Sequence, residues 1–368
     1  MLISGAGVAG SALAALLGRA GHEVVVVERD QGVRSSGNPV DVRGAGFDVA
    51  ERLGALPRLD ELATRVRRLV IVDRRGREVA GLPTRRDPDR ELEIGRADLC
   101  AVLLGAARAE ADVRFDDVIS GLRQDGDGVE VAFQRSGGRR FDLVVGADGA
   151  HSVVRRMAFG PEDRFVSRLG MYVATVRTPV EPLRPEVVLL HNEPGSAIAL
   201  HPGRGVPGAG FFFRSRRQLE HRDRDGVHEA LSETYPGDVW RNRELLDAYL
   251  AADDAYFDAV ARVRVAQWSR GRITLLGDAA SCVTLFGEGS SAALAGAGEL
   301  ADRLGDARSV ADGLRRYESR HRRRVARGQR GAALISHMLV PATGAGIRSR
   351  DTAFRLGERI GTLRPSRR

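Results

Sequence analysis

Apolar and polar positions along the chain fall into two alternating regimes. Leu2 to Ser4 ends a short apolar run, glycines follow, and Ser11 to Arg19 is rich in alanine and leucine. This predicts a strand, a turn and a helix. Gly21-His22 closes that helix, and Glu23 to Val27 is a β-branched run typical of a parallel strand buried on both faces. Such a strand–helix–strand unit belongs to an open, doubly wound sheet. The pattern then changes. Arg67 to Leu82 (RRLVIVDRRGREVAGL) makes two extended runs about a polar Arg-Gly turn, predicting a hairpin. A helix is predicted at Ala97 to Ala109 and a buried strand at Leu143 to Val145. Between Phe165 and Arg214 the segments MYVATVRT, EVVLLH, SAIALHP and GAGFFFRS predict an antiparallel block. Gln218 to Ala261 reads as largely helical and Ile273 to Leu276 as a buried strand. From about Glu288 the chain reads as helix, with a loop around Pro341 to Gly346.

The expected class is therefore α/β, a nucleotide-binding domain in discontinuous pieces with an inserted antiparallel-sheet domain. Residues 1–66, 96–164 and 269–368 are expected to form the first, the last piece including the C-terminal helices. Residues 67–95 and 165–268 are expected to form the second. Ligand sites commonly lie where such domains meet.

Charge changes this picture little. The formal charge is +8 over 368 residues, which raises the question of nucleic acid. All 57 basic residues are arginine, however, and the 49 acids are mixed among them. The basic stretch Arg315 to Arg330 offers only Tyr317 for base stacking, so it reads as a solvated helix face and no nucleic-acid partner is expected. Cys100 and Cys282 are far apart and in no metal-like spacing, so neither a disulfide nor a metal site is expected. The apolar start lacks a positive leader region, and no uninterrupted apolar run of about 18 residues occurs. A cytoplasmic protein with no membrane partner is the expectation.

The candidate chemistry lies at the ends of predicted strands. Gly5-Ala6-Gly7-Val8-Ala9-Gly10 fits G-x-G-x-x-G between a strand and a helix, with Glu28 ending the next strand. Those glycines permit a tight turn and close approach of a pyrophosphate, the helix start supplies N–H groups, and the acid suits ribose hydroxyls. Arg96 opens a helix in GRADLCAVLL. LVVGADGAHSVVR runs from a strand into Asp148-Gly149, and ITLLGDAASCVTLFGEGSS runs from a strand into Gly277-Asp278 and on to a helix start near Gly289.

Together these four segments resemble the single-component FAD-dependent aromatic monooxygenases of the para-hydroxybenzoate hydroxylase type. The branch most similar holds tetracycline-degrading and antibiotic-pathway oxygenases, in which the phrase Gly37-Asn38-Pro39-Val40-Asp41-Val42-Arg43-Gly44 is characteristic. The resemblance covers essentially the whole chain. It implies an FAD-binding fold with an inserted substrate domain. It also implies that Gly5, Ala6, Gly7, Val8, Ala9 and Gly10 hold the pyrophosphate, Glu28 the adenosine ribose, and Arg29 the flank of the adenosine half. Arg96 would contact the ribityl–phosphate region, Asp148 would carry the family's Asp-Gly role, and Asp278 would contact the ribityl chain. Gly287, Gly289, Ser290 and Ser291 would lie beside the pyrimidine edge of the ring, with Asp41 and Arg43 near it.

The implied reaction uses NAD(P)H as a transient reductant and transfers one oxygen atom from O2, through a C4a-hydroperoxyflavin, to an aromatic or polyketide-like small molecule. A role in secondary metabolism or antibiotic modification follows from the same resemblance. The substrate face is expected on the antiparallel sheet, at Met171, His191, His201, Phe211 and Phe213. Arg43, His191 and Phe213 are the catalytic candidates, and no base for a phenol stands out. Ser281 replaces a frequent histidine, Leu285 a frequent proline, and the loop before Gly287 is short. Other readings are an FAD-dependent reductase of the geranylgeranyl-reductase type and a non-catalytic flavoprotein. Labelled-oxygen incorporation separates them from an oxygenase. Oligomeric state is open between monomer and homodimer.

Overall fold

In the computed structural model, residues 1–32, 39–85, 87, 89–182, 184–220, 222–283 and 288–362 are described. Leu2–Ser4 and Val25–Val27 pair in parallel, Ile3 opposite Val26. The sheet continues through Val144–Gly146 and Ile273–Leu275 on one side and Asp112–Arg114 on the other, with Ser269–Arg270 as an antiparallel edge. Leu2, Ile3, Val26, Val144 and Val145 are fully buried. A strand covered on both faces needs apolar residues at every position, hence the continuous runs in the sequence. The helix Val8–Arg19 packs on this sheet, buried from Val8 through Leu17. Its small residues let the helices Arg96–Arg108 and Glu288–Gly305 pack closely against it.

The second layer is an antiparallel-rich sheet of eight strands among the described residues. Its order is Ser281–Val283, Tyr256–Arg264, Val166–Arg177, Gly208–Arg214, Ser196–His201, Val187–Glu193, Arg68–Val72 and Glu78–Pro83. The predicted hairpin is present, and it joins the block through a parallel pairing of Arg68–Val72 with Val187–Glu193. Tyr256–Arg264 corrects the helical expectation over 218–261. Only Arg224–Thr234 and Asn242–Ala251 are helices there. Pairing on both edges of YFDAVARVR makes it a strand. The three-stranded sheet Ile119–Gln124, Val129–Phe133 and Arg139–Phe141 had no counterpart in the sequence reading.

Strand alternation gives the eight-stranded sheet two different faces. Tyr172, Ala174, Ile198, Phe211 and Phe213 form the back, with the helices Arg224–Thr234 and Asn242–Ala251 packed on it. Tyr172 stacks on Phe213 and on Phe257 with centroids 5.6 Å apart in each case. Met171, Val173, Thr175, Phe212, Ala199, His201, Tyr256 and Asp258 fall on the front. On that face His201 reaches a two-stranded ribbon, Pro39–Arg43 paired antiparallel with Glu91–Gly95, at Glu93. A helix, Val310–Leu339, carries the basic stretch. Arg315 and Arg316 pair with Asp312, Arg320 with Glu299 and Arg322 with Glu318, so much of its charge is answered locally.

Candidate functional site

The glycine turn is fixed by contacts that leave no room for side chains. Gly5 has φ +106°, and a Cβ there would lie 2.5 Å from the Ala147 carbonyl oxygen. A Cβ on Gly10 would lie 1.9 Å from the Gly5 oxygen. Gly7 differs: nothing lies within 4 Å of its Cβ position. It caps the Val8–Arg19 helix with no side-chain hydrogen bond and no acid in the first turn. The helix start therefore presents backbone N–H groups and partial positive charge to open space. Glu28 is bound to this turn, Oε2 accepting from the Ala6 N–H at 2.8 Å and Oε1 from the Asp30 N–H at 3.1 Å. Arg29 points outward, 70% exposed.

A second corner meets the first. Gly277, with φ +61°, packs so close to the helix that a Cβ would sit 2.9 Å from the Ala9 side chain. Next to it Asp278 approaches the start of the Glu288–Gly305 helix, its Oδ1 3.9 Å from the Gly289 Cβ position. Arg96 is reachable by solvent yet ringed by Asp278, Cys100, Tyr256 and Cys282, so it projects into a cleft. Burial pulls its pKa down, but Asp278, Cys100, Tyr256 and Cys282 together outweigh this and hold the guanidinium ionised. The Cys282 thiol is pushed up by burial and by Asp278, and the Tyr256 hydroxyl by burial and by Asp258, to which it donates at 3.1 Å. Arg43, Asp278, Gly289 and Ser291 line one cavity of about 200 Å³.

Asp148 behaves differently from the expectation of a ligand-facing carboxylate. It accepts from the Ser152 hydroxyl and from the Val153 and Val154 N–H groups at 2.7 and 3.1 Å, capping the next helix. Its backbone is what reaches the glycine turn, the Cα lying 2.9 Å from the Gly5 Cβ position. Ser290 and Ser291 are buried at the helix start. The Ser291 hydroxyl donates to the Asp41 carbonyl at 2.8 Å and accepts from the Arg43 N–H at 3.1 Å, tying the ribbon to that corner. Gly287, with Gly37, Asn38 and Leu285, lies outside the described residues. Ser281 accepts from Gln329 at 2.7 Å.

Three substrate-face expectations are corrected. Phe211 and Phe213 belong to the back face, at most 1% exposed in the core beneath the two helices. His191 pairs with Ile198 on that same side, its Nδ1 donating to the Val72 carbonyl at 3.1 Å. His201 does lie on the front, whereas Met171, on the same side, is a fourth correction: it is 1% exposed in a core cluster with Leu190, Val260 and Val340. The sequence reading missed Glu93, Phe212, Tyr256 and Asp258. Period-two alternation in ELEIG and YFDAVARVR is the signal that places the first, third and fourth. Asp41, Arg43, Glu91 and Glu93 share one face of the ribbon, and Glu93 reaches the front of the sheet at His201, with 2.9 Å between His201 Nε2 and Glu93 Oε1.

A protein-family model described as an FAD binding domain matches residues 1–331. A flavin-dependent monooxygenase of Legionella longbeachae is 32% identical over 311 residues, covering 83% of this chain and 80% of its own. The chain belongs to this FAD-binding family of flavin-dependent monooxygenases. An uncharacterized protein of Mycobacterium tuberculosis is 39% identical over 315 residues, covering 83% of this chain and 84% of that one. The crystal structure of the tetracycline destructase Tet(55) superposes with a TM-score of 0.83 at 29% identity, over 97% of this chain and 94% of that one. Several features of the flavoprotein suit an extended FAD. A helix start without a side-chain cap faces open space at Gly7, a carboxylate stands at the neighbouring strand end, and an arginine and Asp278 share the cleft. No helix among the described residues is long and apolar enough to cross a membrane.

Proposed function

We propose that this enzyme consumes NAD(P)H and O2 to place one oxygen atom on an aromatic or polyketide-like molecule bound in a chamber between ribbon and sheet. The observation that carries this reading is the Ser291 tie. It brings the ribbon's Asp41 and Arg43 to the same corner as Asp278, the glycine turn and Arg96. In this reading the Gly5–Gly10 turn and the helix start hold the pyrophosphate, Glu28 the ribose, and Arg96 and Asp278 the ribityl chain. Asp148 acts through its backbone and its helix cap.

When bound, FAD supplies the electron transfer to oxygen that no side chain can perform. The protein's own part is to bind, orient and exclude water. Phe212, Ala199 and Val173 offer an apolar floor to a planar ligand, while Tyr256, Asp258 and His201 offer polar rims. The similarity to a tetracycline destructase supports a polycyclic or aromatic ligand and a place in antibiotic modification. The test is 18O2 labelling during NADPH oxidation by the FAD-loaded protein with a panel of phenols and polyketides. One labelled atom per product is expected. NADPH oxidation yielding only a reduced or dehydrogenated product would overturn the reading.

A further inference from the structure

Two carboxyl groups stand directly across the ribbon, Asp41 opposite Glu93, and their surroundings differ sharply. Glu93 Oε1 accepts from the Thr64 hydroxyl at 2.5 Å and lies 2.9 Å from His201 Nε2. His201 Nδ1 accepts the Gly203 N–H at 2.9 Å, which leaves Nε2 as the donor of the ring. That geometry depends on a tight turn in which Gly203 has φ +60°. Arg85, bound to the Thr64 carbonyl at 2.8 Å, stands near both carboxyls. Burial pushes Glu93 up, but the His201 and Thr64 hydrogen bonds and Arg85 prevail and hold it below the usual carboxylate range. Glu93 is a fixed anion.

Asp41 has no such clamp. Its distance to Arg43 is 4.0 Å, and it is the Asp41 main-chain carbonyl that Ser291 engages. Its side chain keeps 35% exposure, so a small ligand can reach it. Like charges directly opposite in an antiparallel pair repel, so one member of such a pair holds its proton to higher pH than a lone carboxylate does. The member with fewer donors is Asp41.

We propose that Asp41 is the proton-exchanging group of the chamber, taking the proton of a weakly acidic O–H or N–H on the bound molecule. Glu93, clamped by His201 and Thr64, is the positioning residue that governs that exchange. In the step, a carboxylate oxygen of Asp41 forms an O–H bond as the ligand's O–H or N–H bond breaks. The electron pair stays on the ligand heteroatom, and the proton later returns to water. No oxidation state changes. The ligand class is narrowed to molecules with an ionisable hydroxyl or N–H, whose anions are the more electron-rich form. The inference rests on the chamber being the substrate site.

The charged and titratable groups facing Asp41 are Arg43 on its own strand, Glu91 and Glu93 on the partner strand, and Arg85 beyond the hairpin. His201 reaches it only through Glu93, and the helix start contributes uncharged Ser291. Burial raises Asp41 to about 6, Glu93 and Glu91 adding to this against Arg43 and Arg85. The carboxylate is therefore available above about pH 6 and blocked below it.

The experiment uses FAD-loaded protein with 13C-labelled aspartate carboxyls, titrated in wild type, Asp41→Asn and Glu93→Gln. Glutamine keeps an oxygen for both Thr64 and His201, so only the charge is lost. One resonance with a midpoint near pH 6 is expected, absent from Asp41→Asn and moved down by about one pH unit in Glu93→Gln. Phenol binding, followed by flavin absorbance, should tighten about tenfold as pH rises through that midpoint in wild type and stay flat in Asp41→Asn. A flat wild-type profile, or a midpoint unmoved by Glu93→Gln, overturns the proposal. Protein that retains no FAD would instead sink the flavin-site reading, while the carboxyl titration could still be read on its own.

Discussion

Arg96 and Asp278 illustrate how single residues carry this site. Their charges stand together in a cleft rather than on convex surface, so each lowers the cost of burying the other. Removing either leaves the partner unanswered just where a polar cofactor chain is proposed to lie. Arg96→Ala and Asp278→Ala are each expected to weaken FAD retention about ten- to hundredfold, measured by flavin released on gel filtration. Wild-type flavin content in both variants would refute the assignment. At the same scale the sequence was informative about residue type and uninformative about direction. Asp148 stands where a strand-end acid was expected, but its carboxylate is spent on a helix cap.

At the scale of elements, the glycines of the first turn divide into two kinds. Gly10 is required by packing, since a methyl would meet the Gly5 oxygen at 1.9 Å, while Gly7 faces open space with φ −73°. Gly10→Ala should therefore cost about 1–3 kcal/mol or more in urea unfolding and abolish FAD binding. Gly7→Ala should leave the unfolding midpoint within about 0.5 kcal/mol of wild type yet still weaken FAD binding, because its methyl enters the space proposed for phosphate. Equal loss of stability in both would contradict this division. The antiparallel sheet shows a comparable split. Phe213 is 1% exposed among Tyr172, Tyr235 and Phe257. Phe213→Ala is expected to cost about 3–5 kcal/mol in denaturant unfolding with little change in FAD affinity at low temperature. A selective loss of ligand binding without destabilisation would return Phe213 to the substrate face.

Over the whole molecule, acid should act through His321. It stacks on Tyr317 at 5.9 Å and against Trp268 at 5.9 Å, 2% exposed, with Nδ1 lacking a partner. Burial, with Arg324 adding to it, pushes its pKa down to about 4. The unfolded chain, at the ordinary value, binds more protons between these limits. Stability is thus complete above about pH 6.5 and falls as pH drops toward 4, by up to about 3 kcal/mol. His321→Phe keeps the stacking and should flatten that limb in urea titrations at pH 7 and pH 5. An unchanged slope would show that another group is responsible. The same long-range view explains what sequence reading missed. The ribbon pairs residues 39–43 with 91–95, and its Glu93 reaches His201 on another sheet. No local pattern encodes such meetings.

The chain's own order of residues determined the strand–glycine–helix–strand start, the buried parallel runs, the hairpin and the family resemblance. Each of these depends on short-range sterics, helix propensity or hydrophobic period. Tertiary structure alone decided which face each antiparallel strand turns inward, because shifting the assignment by one residue exchanges Phe212 for Phe213. It also decided that Asp41 and Glu93 stand opposite each other while only one of them is clamped. Distant segments acquire such relations through packing and pairing, and their electrostatic consequences exist only once the chain has closed around them.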